Sequence, residues 1–445
     1  MKVKAKAGVL ARLLQIVARA APGKRPAVPL LSAVLVEAKE GVLSMSVTDG
    51  EISMTLGARA PVEEEGRAAV PARVLLDILK SLPDEEVLLS ANGSAATVLR
   101  GKDAYEIVAH PNPDEFPSRP AFPGTSPQSQ GKAARLFSVP ADRFARAVGR
   151  VAPCASPDEK RPVLTGVFFS FADAAATMVA TDGFRLALDR VPLLGGPGGT
   201  TGGITGGAPS VSGTALVPGR ALKEAARLSE LGEEMAVALT KNHAIFSVRG
   251  VVLSSRLIEG AYPDYRKLLP GSSDREFGVE ANALRDALGR ASLMAGRQEP
   301  PAAVRLAFAR TGEAGTIAGT GELTVSVRGA RAGRATETVP AEVPEGGAFE
   351  SCYNPQVLLD GVRAVAGEKV RFLANGPLEQ VLMGGTEERP EPAGGDPENG
   401  AAPGGFLYMA MPVRDPGARE NVADKAGPGA AAGNGAGDQT AAAGG

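Results

Sequence analysis

The 445-residue chain contains no tryptophan, five tyrosines, two histidines and two cysteines, Cys154 and Cys352. Two cysteines cannot build a disulfide framework or a cysteine-rich zinc site, and a reducing, cytoplasmic location is expected. The scarcity of tryptophan and tyrosine argues against sugar or nucleobase sites lined by aromatic rings. No nucleophile, metal-ligand pattern or nucleotide fingerprint is evident. The sequence therefore predicts a protein that is not an enzyme and carries no cofactor or metal.

Long apolar runs are also absent: none approaches the roughly 18 residues that a membrane span needs. Three lysines before an apolar N-terminal stretch are also typical of a secretory signal. The apolar residues of this stretch, however, recur at the spacing of one helix face: Leu10, Leu13, Leu14 and Val17. This period predicts an amphipathic helix of the mature protein and no membrane partner.

Repetition is the main positive feature of the sequence. Residues 180–188, ATDGFRLAL, combine a Thr-Asp-Gly turn signal with the alternation of a half-buried strand. A similar segment, VTDGEISM, occupies residues 47–54, and a fainter one, AGTGELTV, occupies residues 318–325. These three segments suggest one domain written three times, which fits the length at ~100–200 residues per domain.

The expected organisation is three domains joined by turn-rich and Gly-rich segments. The predicted ranges are 1–125, a linker at 126–134, 135–272 with an insert at about 195–213, 273–414 with an insert at about 384–405, and a disordered tail at 415–445. The first insert is Gly-rich like a phosphate-binding loop, but no Lys-Ser/Thr follows it, which favours a flexible insert. The last strand is predicted over residues 406–414.

Each predicted domain contains two helices, six in all, over residues 9–20, 71–82, 140–151, 218–230, 281–292 and 354–366. Together they carry 13 Lys and Arg against 6 Asp and Glu, a net charge of +7, so the rest of the chain carries −9 to give the overall −2. One interpretation is ordinary solvated helix faces. The other is a basic lining in an acidic protein, which would attract a polyanion through phosphate contacts without reading its sequence.

Along nearly its whole ordered length the chain resembles the bacterial DNA polymerase III beta subunit family, the sliding clamps, and three segments carry the resemblance most specifically. They are ATDGFRLA at residues 180–187, YPDYRKLLP at 262–270 and YMAMPVR at 408–414. The resemblance implies an α+β fold of three repeated DNA-clamp domains, each with two helices packed on antiparallel sheets. It further implies that two copies form a closed ring, a homodimer, around duplex DNA and act as a polymerase processivity factor. The implied partners are double-stranded DNA, the DNA polymerase III alpha subunit, the clamp loader complex and other clamp-binding repair polymerases.

The resemblance also implies a peptide-binding pocket between the second and third domains. Its expected lining is Leu164, Thr181, Gly183, Phe184, Arg185, Leu186, Pro263, Lys267, Leu268, Leu378, Met409, Met411, Pro412, Val413 and Arg414. Leucine and methionine make a deformable apolar pocket, and the arginines can meet carboxylates or carbonyls. Phe184 stands where the family commonly has His, and Lys267 where it commonly has Arg, which puts the peptide preference in question.

The remaining site residues are expected on the helices and at the ring interface. The predicted DNA contacts are Arg25, Arg73, Arg143, Arg146, Arg220 and Lys223, of which Arg25 matches a loop that touches DNA in the family. The predicted dimer contacts are Tyr105, Leu293 and Met294.

Three alternatives remain open on sequence grounds. The acidic runs 63–65 and 84–86 could supply the paired carboxylates of a glycoside hydrolase, although they adjoin turn signals and are most simply solvated loops. A repeat-built scaffold that binds proteins without DNA is the second alternative. The third is a variant copy of the clamp with no replicative role.

Overall fold

The computed structural model describes residues 1–22, 26, 28–123, 135–172, 174–195, 212–296, 302–311, 319–329, 333–386 and 405–414. Arg25, the predicted linker, most of both predicted inserts and the predicted tail lie outside these residues. The chain folds as an α+β protein of three similar domains, as predicted.

Six α-helices are present in the described residues, two in each domain, as the periodicity predicts. They are Ala7–Val17 (α1), Ala72–Ser81 (α2), Ala141–Val151 (α3), Gly219–Leu228 (α4), Ala281–Ala295 (α5) and Pro355–Ala364 (α6). Short 3₁₀ turns at Ala18–Ala20, Ala152–Cys154 and Ser229–Leu231 extend α1, α3 and α4. In domain three the side chains of Glu280 and Asn354 cap α5 and α6 by accepting hydrogen bonds from two amides each.

The strands alternate with these helices along the chain. They are Lys2–Lys6 (β1), Ala33–Lys39 (β2), Val42–Thr48 (β3), Ile52–Arg59 (β4), Val62–Glu64 (β5), Gly66–Pro71 (β6), Glu86–Asn92 (β7), Ala95–Arg100 (β8), Asp103–Val108 (β9), Arg135–Pro140 (β10), Gly166–Ala172 (β11), Ala175–Thr181 (β12), Arg185–Pro192 (β13), Gly213–Pro218 (β14), Glu234–Leu239 (β15), His243–Val248 (β16), Val251–Arg256 (β17), Arg275–Glu280 (β18), Val304–Arg310 (β19), Thr320–Gly329 (β20), Gly333–Glu342 (β21), Phe349–Tyr353 (β22), Lys369–Ala374 (β23), Val381–Gly385 (β24) and Leu407–Ala410 (β25).

Antiparallel pairing gives each domain two sheets, which have four strands each except for the five-stranded sheet β5-β1-β7-β8-β9 of domain one. At two places a sheet of one domain continues into a sheet of the next. In domain two the sheets are β14-β11-β12-β13 and β10-β15-β16-β17. The edge strand β17 pairs with β4 of domain one, and the edge strand β13 pairs with β25 of domain three. The same kind of junction therefore occurs twice within the chain, and backbone hydrogen bonds cross both.

Alternation along the junction strands separates two apolar layers. On β13, Leu186 and Leu188 point to the outer face of the sheet, where they join a separate cluster of buried side chains. Ala187, between them, points to the face that packs on the helices and belongs to the main core. Because side chains of a strand alternate between faces, Arg185 and Asp189 also lie on the helix side.

Three details of the predicted strands are wrong. The last strand ends at Ala410 and not at residue 414, because Pro412 has no N–H for a ladder and Val413 N bonds to the carbonyl oxygen of Cys352. Strand β24 includes Gly384 and Gly385, which the prediction assigned to an insert. The predicted third turn is also misplaced, because Thr320 begins β20, which corresponds to β3 and β12. The connection that matches the Thr-Asp-Gly turns is the one between β20 and β21.

Candidate functional site

The Thr-Asp-Gly turn between β12 and β13 is fixed by its own side chains. The Thr181 hydroxyl donates to the Arg185 carbonyl oxygen at 2.6 Å and accepts from the Gly183 amide at 3.1 Å. Asp182 Oδ1 accepts from the amides of Phe184 and Arg185 at 2.9 and 3.1 Å. Gly183 has φ of 95°, a conformation that favours glycine. These bonds hold Phe184 at the apex of a rigid turn.

Domain one repeats this turn with the same hydrogen bonds. Thr48 donates to the Ile52 carbonyl oxygen at 2.8 Å, and Asp49 Oδ1 accepts from the amides of Glu51 and Ile52 at 2.9 and 2.8 Å. The turn is therefore part of the repeated architecture. What differs is the side chain at its apex, which is Glu51 in domain one and Phe184 in domain two.

An apolar floor lies beside the second turn, on the outer face of the sheet shared by domains two and three. Leu186 pairs with Met409, and Met409 pairs with Leu382 of the next strand. All three are buried. The other members of this cluster are Val179, Leu188, Tyr265, Leu269, Leu373 and Leu407, with Phe168 and Tyr262 packed against it.

Exposed apolar side chains surround this floor. Phe184 is 65% exposed, Leu378 76%, Leu268 41% and Met411 36%. The Met411 amide donates to the Phe184 carbonyl oxygen at 2.8 Å, and Gln380 Nε2 donates to the Leu268 carbonyl oxygen at 3.3 Å. These bonds tie the turns that carry the four side chains to one another across the junction. A patch of this kind is typical of a surface that binds another molecule.

The Arg185 guanidinium lies beneath the sheet and is occupied by partners within the chain. Nε donates to Asp182 Oδ2 at 3.0 Å, and the two terminal nitrogens donate to Asp360 Oδ2 at 2.5 Å and to the Pro153 carbonyl oxygen at 2.9 Å. The side chain is 15% exposed. Its predicted contact with a peptide is therefore replaced in this structure by contacts that join α6 of domain three to domain two.

The other residues of the predicted pocket divide into a buried set and an exposed set. Thr181 and Leu164 are buried and do not contribute to the exposed surface of the patch. Leu164 lies in the 3₁₀ turn Pro162–Thr165. Pro412 and Val413 are half-buried, and Pro263 and Arg414 are exposed. The Lys267 side chain is 82% exposed, with its ammonium 3.5 Å from Asp264. The rim of the patch thus carries two accessible cations, Lys267 and Arg414.

Two aromatic residues were missed by the sequence prediction of this site. The rings of Phe168 and Tyr262 stack at 5.0 Å with an interplanar angle of 9°, against the apolar floor. Burial raises the pKa of the Tyr262 hydroxyl. Tyr262 could have been predicted, because it begins the YPDYRKLLP segment that carries the family resemblance. No local sequence pattern indicates that Phe168 belongs to the site.

The predicted DNA contacts other than Arg25, which lies outside the described residues, are on the helices. Arg73 on α2, Arg146 on α3 and Lys223 on α4 are exposed, and Arg143 on α3 is half-buried. Arg220, at the start of α4, donates to Asp49 Oδ2 at 2.5 Å and to the Ala21 carbonyl oxygen at 3.4 Å. Arginine side chains therefore link helices of successive domains, Arg220 linking α4 to the residue after the 3₁₀ turn of α1 and Arg185 linking α6 to the 3₁₀ turn after α3. The six helices are called the helix layer below.

The predicted dimer contacts lie near two open sheet edges. Tyr105 is half-buried on β9, which pairs with β8 on one side. Leu293, near the end of α5, is 77% exposed, and Met294 beside it is half-buried. Strand β21, which packs against α5, pairs with β20 along its length and with β18 only at Ala341 and Glu342.

Features of a catalytic or membrane site are few in the described part of the chain. No group of three or more His, Cys, Asp or Glu side chains there is arranged to hold a metal ion. Burial raises the pKa of the Cys154 thiol to about 12, so this thiol is protonated and a poor nucleophile near neutral pH. Every helix among these residues is too short or too polar to cross a bilayer.

Family models match the chain in three consecutive segments. Residues 1–120 match the N-terminal domain of the DNA polymerase III beta subunit, residues 138–264 its central domain and residues 266–389 its C-terminal domain. The beta sliding clamp of Streptomyces coelicolor is 31% identical over 420 residues, which is 93% of this chain and 99% of that protein. The beta sliding clamp homolog GriR of Streptomyces muensis is 32% identical over 395 residues, 88% of this chain and 93% of that protein.

Solved structures show the same fold. The sliding clamp of Pseudomonas aeruginosa bound to griselimycin superposes with a TM-score of 0.76 at 24% identity, covering 93% of this chain and 99% of that one. The sliding clamp of Caulobacter crescentus superposes with a TM-score of 0.75 at 25% identity, covering 93% of this chain and all of that one.

Proposed function

Because the chain belongs to the DNA polymerase III beta subunit family, the beta sliding clamps, we propose that two copies close into a ring around duplex DNA. The ring tethers the replicative polymerase, the clamp loader and repair polymerases through the apolar patch between domains two and three. It has no catalytic activity of its own. The repeated junction carries this proposal, because among the described residues the junction edge of β9 in domain one has no partner strand and that of β21 in domain three is paired only at Ala341 and Glu342.

The way successive domains are joined supports ring closure. Strand β4 of domain one accepts β17 of domain two, and β13 of domain two accepts β25 of domain three. By the same rule β21 of domain three accepts β9 of the next domain, which is domain one of a second copy. Such a contact is heterologous, and it yields a ring when the rotation closes. Two copies then contribute six domains and six equivalent junctions.

Charge and exposed apolar surface at the two edges support this pairing. Glu106 on β9 has no ion-pair partner within the described residues, and neither do Arg328 and Arg334 on the β20–β21 hairpin. The exposed Val108 on β9 and Leu293 on α5 would be covered in the closed ring. Opposite charges that flank a small apolar contact favour one register of association over others.

The helix layer supplies the surface toward DNA. Its accessible cations include Arg73, Arg146 and Lys223, while the protein as a whole carries a net charge of −2. A basic surface in an otherwise acidic protein draws DNA to one place through phosphate contacts that carry no sequence information. Because retention by a ring is topological, these contacts can be weak enough to permit sliding.

The apolar patch supplies the peptide site. Phe184, Leu268, Leu378 and Met411 are exposed around a buried floor, and Lys267 and Arg414 add positive charge at its rim. This chemistry fits a short peptide with apolar anchors and an acidic residue. The apex residue Glu51 of the equivalent turn in domain one does not fit such an anchor, so we place one site on each chain.

The decisive test of this function is retention on circular DNA. The protein is loaded onto a nicked circle with a clamp loader, unbound protein is removed, and half of the sample is linearised. We expect the protein to remain on the circle and to leave the linear form, because its hold is topological. Equal retention on both forms would refute the ring, and no loading would favour the scaffold interpretation.

A variant clamp is the second candidate. The relative from Streptomyces muensis is named a homolog of the beta sliding clamp, and its 32% identity is close to the 31% of the Streptomyces coelicolor clamp. A primer-extension reaction with polymerase III distinguishes a replicative clamp from a variant clamp when this chain replaces the usual clamp. A replicative clamp supports extension over long templates, and a variant without that role does not.

A further inference from the structure

Each internal junction contains one guanidinium group in the same place. At the junction of domains two and three, Arg185 contacts Asp182 of the turn at 3.0 Å and the Pro153 carbonyl oxygen at 2.9 Å. At the junction of domains one and two, Arg220 contacts Asp49 of the equivalent turn at 2.5 Å and the Ala21 carbonyl oxygen at 3.4 Å.

The two carbonyl oxygens are equivalent as well. Pro153 lies within the 3₁₀ turn that follows α3, and Ala21 directly follows the 3₁₀ turn after α1. Each guanidinium therefore bridges two parts of one domain, the Thr-Asp-Gly turn and the segment just after the first helix. This domain is domain two for Arg185 and domain one for Arg220. The same two kinds of acceptor, the turn aspartate and a carbonyl oxygen beyond the first helix, recur at both junctions, and this recurrence marks the contact as a repeated joint. Hydrogen bonds to a charged donor are also stronger than neutral ones.

The two guanidinium groups reach this place from opposite directions. Arg220 comes from α4 of the following domain, while Ile52 fills the strand position that corresponds to Arg185. Arg185 comes from the strand of its own domain and extends to Asp360 of α6, at 2.5 Å. Gln356, which occupies on α6 the position of Arg220 on α4, donates instead to Asp360 at 2.6 Å. Both arrangements connect the turn of one domain to the second helix of the next.

The guanidinium is more enclosed at the junction of domains two and three than at the junction of domains one and two. The side chains of Arg185, Asp182 and Asp360 are 15%, 16% and 23% exposed, whereas Arg220 is 51% exposed against an Asp49 side chain that is 8% exposed. Removal of one member of an enclosed charged network leaves its partners unpaired away from water, which is more disruptive than the loss of an exposed pair.

This joint lies directly below the rim of the apolar patch. The main chain of Arg185 pairs with Ala410, and the preceding carbonyl oxygen, that of Phe184, accepts from the Met411 amide. The guanidinium on the helix side and the rim residues on the outer side therefore share a few residues of backbone. A shift of α6 relative to the turn would move Phe184 and Met411 relative to each other.

We propose that Arg185 is a positioning residue that locks domain three against domain two from beneath and so sets the geometry of the peptide site without contacting the peptide. The peptide part of this inference rests on the proposed function. Arg220 has the equivalent locking role between domains one and two, where the apex residue of the turn is Glu51 and not an apolar side chain.

The test combines amide exchange with peptide binding in the full-length protein. The variants are Arg185→Gln, Asp360→Asn, the double variant and, as a control, Arg310→Gln, which removes an exposed arginine at the end of β19. The probes are a short peptide with leucine and phenylalanine anchors and one aspartate, and the same peptide with asparagine in place of the aspartate. Arg185→Lys, which keeps the charge, is the conservative variant.

We expect Arg185→Gln and Asp360→Asn each to raise amide exchange over residues 407–411 by on the order of tenfold, with no further rise in the double variant. Both peptides should lose affinity by the same factor, Arg185→Lys should recover part of it, and Arg310→Gln should change nothing. Unchanged exchange would overturn the inference. A greater loss for the acidic peptide would also overturn it, because the guanidinium would then meet the peptide directly.

Failure of the proposed function would look different. If the unaltered protein binds neither peptide, the peptide site is refuted, while the exchange measurement still tests the lock between the domains. If Arg185→Gln does not fold, Arg185→Lys and Asp360→Asn decide the question through the same two measurements.

Discussion

Replacement of Phe184 by alanine should weaken peptide binding strongly and leave the fold intact. The side chain is 65% exposed at the apex of its turn. A phenylalanine side chain presents about 200 Å², so about 130 Å² is available for a peptide to cover. At about 25 cal/mol per Å² this corresponds to an upper bound of ~3 kcal/mol. Because association also orders the peptide, we expect a loss of about 1–3 kcal/mol, or roughly 5- to 150-fold in affinity.

Two measurements check this prediction together. Calorimetric titration of the acidic peptide gives the change in affinity, and urea unfolding gives the change in stability. Stability should change by less than about 0.5 kcal/mol, because the turn is held by the Thr181 and Asp182 side chains and not by the ring. Val74→Ala, at a 47% exposed position on α2, is the matched control. An affinity within twofold of the original would refute the assignment of Phe184 to the site.

Two further predictions concern stability. Arg150→Met breaks the buried ion pair with Asp189, at 3.2 Å, and should cost about 3–5 kcal/mol in urea unfolding; a cost below about 1 kcal/mol would contradict it. The amides of Ala283 and Asn282 hold the pKa of Glu280 below its ordinary range. The ionised Glu280 side chain therefore contributes to folding stability at pH values above the ordinary pKa of a glutamate. This contribution is lost as the pH falls through the lowered pKa of the folded state. Glu280→Gln should thus destabilise more at pH 7 than at pH 3, whereas Asn354→Ala should cost about 1 kcal/mol at both.

The elements that local patterns encode were predictable from the sequence. The six helices follow from apolar spacing, and Val-Pro precedes three of them, at residues 70–71, 139–140 and 217–218. The Thr-Asp-Gly turns follow from side chains that bond their own backbone, and they recur with the same bonds at Thr48 and Thr181. The predicted third copy of the turn is wrong because it lacks this aspartate. Thr320 is followed by Gly321, so no carboxylate is available at that position to accept hydrogen bonds from the two amides. The alternating residues after it instead form β20.

The joint at Arg185 depends on contacts that no local pattern contains. Asp360 lies 175 residues further along the chain, so the pairing is visible only after domain three has packed on domain two. One signal was nevertheless available. The alternation that places Leu186 in the outer apolar cluster also places Arg185 on the opposite face, toward the helices. The difference between the two turns, Phe184 in one and Glu51 in the other, is in contrast visible when the segments 180–184 and 47–51 are aligned.

The most direct test of ring closure is the mass of the purified protein at micromolar concentration, by native mass spectrometry or sedimentation equilibrium. A single chain has a mass of 45.3 kDa, and a ring closed by two chains should give a species of twice that mass and no larger multiples. Glu106→Arg should shift the population toward single chains, and the addition of Arg334→Glu should restore the pair. A protein that remains a single chain at this concentration, or an open series of multiples of the chain mass, would contradict closure of the ring by two copies.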